Sequence, residues 1–303
     1  MKKLLSYQIV DYLERRGVEY VFGLTGHTVI GFLDALEKSK KIKYISNRHE
    51  QIAATAADGY ARVAKKAAVI MTHLGPGITN ATTGVANAAL DAIPLVVLAG
   101  DVPSYYYGKH PHQEVNLHSD GSQYEIYKPF VKRAWRLDNP ELMPEILDKA
   151  FRLAESGRPG PVLISVPMDM WSREIDDSNF ERRYHDSHFT VKPALPKETA
   201  KEIAKRLIEA ERPLIHFGGQ VIWHQASEEL QNLAEFLDIP LSRSLMGQGG
   251  VSDKHPLLVG MTGFWGTDFV HEITKNADLI LGVGTRFAEA DCSSWYEGVT
   301  FSQ

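Results

Sequence analysis

Residues 49–62, HEQIAATAADGYAR, set one carboxylate, Glu50, at the head of a helix built almost entirely from small residues. Ala53, Ala54, Ala56, Ala57 and Gly59 let a second backbone or a flat ligand come close. Ile52, Ala56 and Tyr60 recur at helical spacing and are expected to supply the buried face. A carboxylate drawn out of water in such a place takes up a proton more readily and can exchange it near neutral pH. A glutamate in a first helical turn also simply complements the helix dipole. This segment alone leaves both readings open.

Two further constellations invite chemistry. Gly75, Pro76 and Gly77 follow an apolar run at 67–71. They stand at what reads as the carboxyl end of a parallel strand, where α/β folds bind ligands. The turn lacks the lysine and the glycine spacing of a phosphate loop. The stretch 105–118, YYYGKHPHQEVNLH, brings together His110, His112, Glu114 and His118. Their spacing does not fit a helical His-Glu-x-x-His zinc motif, so no metal ligand is assigned and an aromatic active-site loop is expected.

The elements that must position these groups alternate. Helices are expected at 6–16, 28–38, 80–90 and 140–156, with Ile30, Leu33 and Leu36 on the inner face of the second. Strands are expected at 20–22, 43–45, 67–71, 95–99 and 162–166. Continuous apolar strands between helices indicate a doubly wound α/β fold, a parallel sheet covered on both faces. Residues 172–192 are charged and aperiodic and read as an interdomain linker. A second α/β unit then begins, with helices at 196–210 and 226–237 and strands at 214–217 and 279–283. The domains are therefore drawn at 1–175 and 196–303, with a linker at 176–195.

Composition limits the function. At 303 residues, two domains are the default. A hydrophobic content of 44% describes a globular chain, and a net charge of -5 gives no reason to expect nucleic acid or a membrane as partner. The single cysteine, Cys292, rules out an internal disulfide framework and favours a reducing, cytoplasmic setting.

The order of motifs is more specific than any one of them. After residues 49–62 come THLGPGITN (72–80) and TTGVANAALDAIPLVVLAGDVP (82–103), then QE (Gln113, Glu114), YKPF (127–130) and SGRPGPVLISVP (156–167). GGQVI (218–222), LMGQG (245–249), HPLLVGMTG (255–263) and GTRF (284–287) follow. This series resembles the thiamine-diphosphate enzymes of the acetolactate synthase large-subunit type over nearly the whole chain. The resemblance implies an N-terminal domain that binds the cofactor's pyrimidine, followed by a partial Rossmann-like central domain.

It also implies roles. Glu50 matches the glutamate that hydrogen-bonds N1′ of the aminopyrimidine and favours the imino tautomer, whose nitrogen takes the C2 proton. Thr72, Gly75, Pro76 and Asn80 match positions at the aminopyrimidine, and Gln113 matches one near cofactor and substrate. His27 stands where relatives carry other residues, and related decarboxylases place a polar, substrate-facing side chain there. His73 precedes the glycine turn where synthases usually have serine. Histidine is a residue type able to relay protons; helix capping and packing under the turn are the plainer alternatives.

Gly218, Gly219, Thr267, Gly284 and Arg286 fit the region where acetolactate synthases hold FAD. Tyr124, Trp265, Ala288 and Glu289 depart from the synthase pattern, so a vacant or ADP-type site is the alternative. The family also carries a third domain with a Gly-Asp-Gly…Asn motif for Mg²⁺ and the diphosphate. That motif is not in this sequence, so the chain reads as a fragment that alone would not turn over.

The expected activity is C–C bond formation or cleavage at a 2-oxoacid. A diketone hydrolase or 2-oxoacid lyase of the same superfamily is the first rival, and a non-catalytic nucleotide-binding subunit the second. A homodimer or homotetramer follows from the resemblance, because the pyrimidine site of one subunit meets the diphosphate site of another.

Overall fold

The apolar runs of the first half become inner strands of a parallel sheet. The computed structural model describes residues 1–115, 123–181 and 193–301, and the chain forms two units, Met1–Val191 and Lys192–Gln303. In the first, β1 (Lys2–Leu4) leads into α1 (Leu5–Arg15). Then β2 (Tyr20–Gly23), α2 (Ile30–Lys38), β3 (Lys43–Ser46), α3 (Glu50–Ala64) and β4 (Ala68–Thr72) alternate. They are followed by α4 (Pro76–Leu90), β5 (Leu95–Asp101), β6 (Ala134–Arg136), α5 (Met143–Glu155) and β7 (Val162–Pro167).

Six strands pair in the order β3-β2-β4-β5-β7-β6, all parallel. β4, β5 and β7 are buried along their whole length, as expected where helices cover both faces. The winding reverses between β2 and β4: from β2 the chain adds β3 on one side and β4 on the other. The segments leaving the carboxyl ends of β2 and β4 therefore flank a topological switch point, the place where open α/β sheets take ligands.

Three local expectations are corrected. The inner face of α2 is Phe32, Ala35 and Leu36, while Ile30 is exposed; the chain first makes a short 3-10 turn at His27–Val29, which rotates the face. The buried face of α3 is Glu50, Ala53, Ala54, Ala57, Asp58 and Ala61, not Ile52, Ala56 and Tyr60. Ile52 is exposed, and Tyr60 packs edge-on against Tyr20. Size decides here: α3 lies so close to α4 that a Cβ on Gly84 would come within 2.6 Å of the Ala54 Cβ, and only small residues fit the seam. Finally, the charged stretch from Ser172 begins with structure. β8 (Glu174–Asp176) pairs antiparallel with β1, and α6 (Ser178–Glu181) follows. The Met1 ammonium holds Asp177 at 2.7 Å.

In the second unit, α7 (Lys197–Glu209), β9 (Pro213–Phe217), α8 (Gly219–Trp223), α9 (Ser227–Leu237), β10 (Leu241–Arg243), β11 (Leu258–Met261), α10 (Asp268–Asn276) and β12 (Leu279–Val283) follow in sequence. The sheet is parallel, ordered β11-β10-β9-β12. β10 and β11 went unforeseen because three or four residues, LSR and LVGM, carry too little pattern to read. Among the described residues no helix is long and apolar enough to cross a membrane.

His216 of β9 is fully buried, its Nδ1 3.0 Å from Ser242 Oγ and its ring packed against Phe287 and Phe301. Burial lowers its pKa to about 4 from 6.5. The folded state thus refuses a proton that the unfolded state accepts. The stabilisation is complete above pH 6.5 and is lost as pH falls toward 4. Between pH 7 and 4.5 this one group should remove about 2 kcal/mol. Urea midpoints at the two pH values for wild type and His216→Phe check this, the variant losing that part of the pH slope. An unchanged slope would refute the assignment.

Candidate functional site

The candidate residues of the first unit lie around the switch point. Glu50 opens α3, whose N-terminus is capped by His49: its Nδ1 accepts the Gln51 N–H at 3.2 Å. The Glu50 side chain is 5% exposed. Asn80, one turn into α4, donates its amide to Glu50 Oε2 at 3.0 Å. No residue among those described hydrogen-bonds Oε1, and beside it lies Gly77, where a Cβ would stand 3.3 Å away. The result is a carboxylate fixed by one oxygen and open at the other.

The turn between β4 and α4 is set by glycine. Gly75 has φ +51 and ψ -104, a conformation that side chains disfavour, and a Cβ there would fall 1.9 Å from the Gln113 carbonyl oxygen. Gln113 itself has φ +67, a strained backbone at the site. Pro76 takes the first position of α4, where its missing N–H costs nothing, and is exposed. Thr72, the last residue of β4, is fully buried with no partner for its hydroxyl oxygen among the described residues.

The histidines behave differently from each other. His73 is buried, its Nδ1 2.8 Å from Thr28 Oγ1 and its Nε2 2.8 Å from Gln113 Oε1. His27 is exposed and packs edge-on against the His73 ring at 4.6 Å between centroids. Its pKa is lowered, first by partial desolvation and then by repulsion from His73 and His112. Gly26 permits this packing, since a Cβ there would meet the His73 ring at 2.4 Å.

Sequence reading missed the residues behind the turn. Gln123 accepts the Gly75 N–H at 2.8 Å and donates to the Gly100 carbonyl at 2.6 Å, so one amide ties the turn to the end of β5. Asp101 accepts from Ser165 at 2.8 Å and from Arg136 at 3.2 Å. Thr28 takes the Leu74 N–H at 3.3 Å, and Trp171 donates to the Thr28 carbonyl at 2.8 Å. These links join positions far apart in sequence, and no local pattern announces them.

His110, His112 and Glu114 do not gather a metal site: no three His, Cys, Asp or Glu side chains among the described residues could hold an ion. His118 lies outside the described residues.

In the second unit, Gly218 and Gly284 serve the chain's own packing. A Cβ on Gly218 would stand 2.5 Å from the Gly284 carbonyl oxygen, and one on Gly219 2.9 Å from that of Met246. Thr267 caps α10 by accepting the Val270 N–H at 3.4 Å, and Arg286 is exposed. Gly218, Gly219, Gly284 and Thr267 thus each have a part in the chain's own structure.

Known proteins match the chain over most of its length. Residues 5–121 match the family model for the N-terminal TPP binding domain of thiamine pyrophosphate enzymes, and residues 200–302 match that for their central domain. A probable acetolactate synthase large subunit of Methanocaldococcus jannaschii is 38% identical over 286 residues, covering 93% of this chain and 47% of that protein. The acetolactate synthase isozyme 1 large subunit of Escherichia coli is 36% identical over 279 residues, 92% of this chain and 48% of its own. An acetolactate synthase of Arthrospira platensis is 36% identical over 292 residues, 93% and 49%. The chain spans about half the length of the curated relatives it matches.

Proposed function

The chain belongs to the thiamine pyrophosphate enzymes, carrying the N-terminal and central domains of that family, and on that premise we propose that it serves an acetolactate-synthase-like reaction joining two 2-oxoacids with loss of CO₂. The observation that carries the reading is the state of Glu50: buried, held at Oε2 by Asn80, with Oε1 left beside Gly77.

The residues fit the aminopyrimidine of thiamine diphosphate. Glu50 Oε1 would share a proton with its ring nitrogen, and Asn80 keeps the carboxylate oriented while it does so. The Thr72 hydroxyl, without a partner among the described residues, offers a further polar contact, and Gly75 and Gly77 keep side chains out of the space. When bound, thiamine diphosphate supplies the reactive carbon and electron sink that 2-oxoacid chemistry needs. By the family resemblance, the diphosphate and its Mg²⁺ are taken to be held in an assembly of at least two subunits.

Diketone hydrolysis would ask His27 and His73 to activate water. His73 has both ring nitrogens engaged within the protein, which favours condensation. The complete protein, given thiamine diphosphate, Mg²⁺ and pyruvate, should release acetolactate, and should leave a small 1,2-diketone intact. Diketone cleavage without acetolactate would reverse the order of the two readings.

A further inference from the structure

We propose that Thr28 is a positioning residue: it sets the ring proton of His73 on Nε2 and so turns the Gln113 amide to present its NH₂ end, a donor for a carbonyl or carboxylate oxygen. The substrate class rests on the function proposed above; the hydrogen-bond polarity does not.

The polarity follows from counting protons along a buried chain. Thr28 is fully buried. Its Oγ1 accepts the Leu74 N–H at 3.3 Å, and a backbone amide can only donate. The hydroxyl proton must then go elsewhere, since leaving it unpaired in the interior is costly. The one acceptor within reach among the described residues is His73 Nδ1, at 2.8 Å. That nitrogen is therefore unprotonated, and the ring proton sits on Nε2. Nε2–H donates to the atom 2.8 Å away, which must be the Gln113 carbonyl oxygen Oε1. The Gln113 carbonyl is thus committed to His73, and what this side chain has left to give is its amide nitrogen.

The same chain fixes position as well as polarity. Thr28 is anchored through its own carbonyl by Trp171, which stacks on Phe32 with centroids 5.2 Å apart. Gly100 leaves room for the hydroxyl, since a Cβ there would lie 2.3 Å from it. At the far end, the Gln113 backbone is pinned in its left-handed conformation, its carbonyl seated on Gly75. Thr28 reaches the substrate space only through His73, so it positions and does not itself react.

The test is imidazole ¹⁵N NMR on the chain, with no cofactor. Wild type should show His73 as the Nε2–H tautomer, with Nδ1 carrying the shift of an accepted hydrogen bond. In Thr28→Val that shift should disappear, and the Nε2 proton should exchange with water roughly tenfold faster, the factor one net hydrogen bond supports. Thr28→Ser should restore both. An Nδ1–H tautomer in wild type would overturn the proposal, because Gln113 would then offer its carbonyl. An unchanged Thr28→Val spectrum would also overturn it. If Thr28→Val does not fold, the wild-type tautomer and a Thr28→Ser spectrum unlike wild type remain decisive. These readouts need no turnover, so their failure leaves the thiamine-diphosphate reading standing, and the reverse holds too.

Discussion

In the complete protein, Glu50→Gln should slow exchange of the C2 proton of bound thiamine diphosphate by about 10²–10⁴-fold, the range a positioned general acid or base supplies. The substitution keeps size and shape, and Asn80 can still hold the side-chain oxygen that Oε2 leaves behind. What is lost is the ability to take and return a proton at Oε1. Folding should change little. Proton exchange at C2, followed by NMR after mixing with D₂O, isolates this step from the later ones. An unchanged rate would remove Glu50 from the catalytic role and leave it a residue that complements its helix dipole.

Gly75→Ala should cost about 3 kcal/mol or more, at the high end for a single methyl group. The new Cβ would have to share space with the Gln113 carbonyl oxygen, 1.9 Å away, in a backbone conformation that alanine disfavours. Relief requires moving Gln113, which parts it from His73 and frees the end of the Thr28 chain. Gly59→Ala is the control: it sits inside α3 with nothing within 4 Å of its would-be Cβ, so alanine should be neutral or stabilise the helix by about 0.5–1 kcal/mol. Urea midpoints separate the two. A Gly75→Ala midpoint at or above wild type would mean that the turn tolerates a side chain.

The alternation of strands and helices was legible because β4, β5 and β7 are buried on both faces, which leaves an uninterrupted apolar run in the sequence. Glu50 was legible as the lone carboxylate entering a run of small residues. The face that α3 buries was not: ranking by hydrophobicity pointed to Ile52, whereas the seam selects for smallness and takes Ala54 and Ala57. Thr28 and Gln123 were invisible for another reason. Thr28 meets His73 across 45 positions and Gln123 meets Gly75 across 48. A hydroxyl or amide that finds its partner at such range leaves no periodicity behind.

The seam between α3 and α4 works as a ruler. Where Gly84 faces Ala54 and the Gln51 carbonyl, the parts in contact are a methyl group, a main chain and a glycine. None of these has a rotamer to change. A larger residue at position 84 or 54 cannot be accommodated by swinging a side chain aside; one helix must slide or lift as a body. Glu50 rides on one helix and Asn80 on the other. Any such slide is therefore read out directly as a change in the gap between them, and drift at a buried methyl about one turn away becomes a change in how a proton is held.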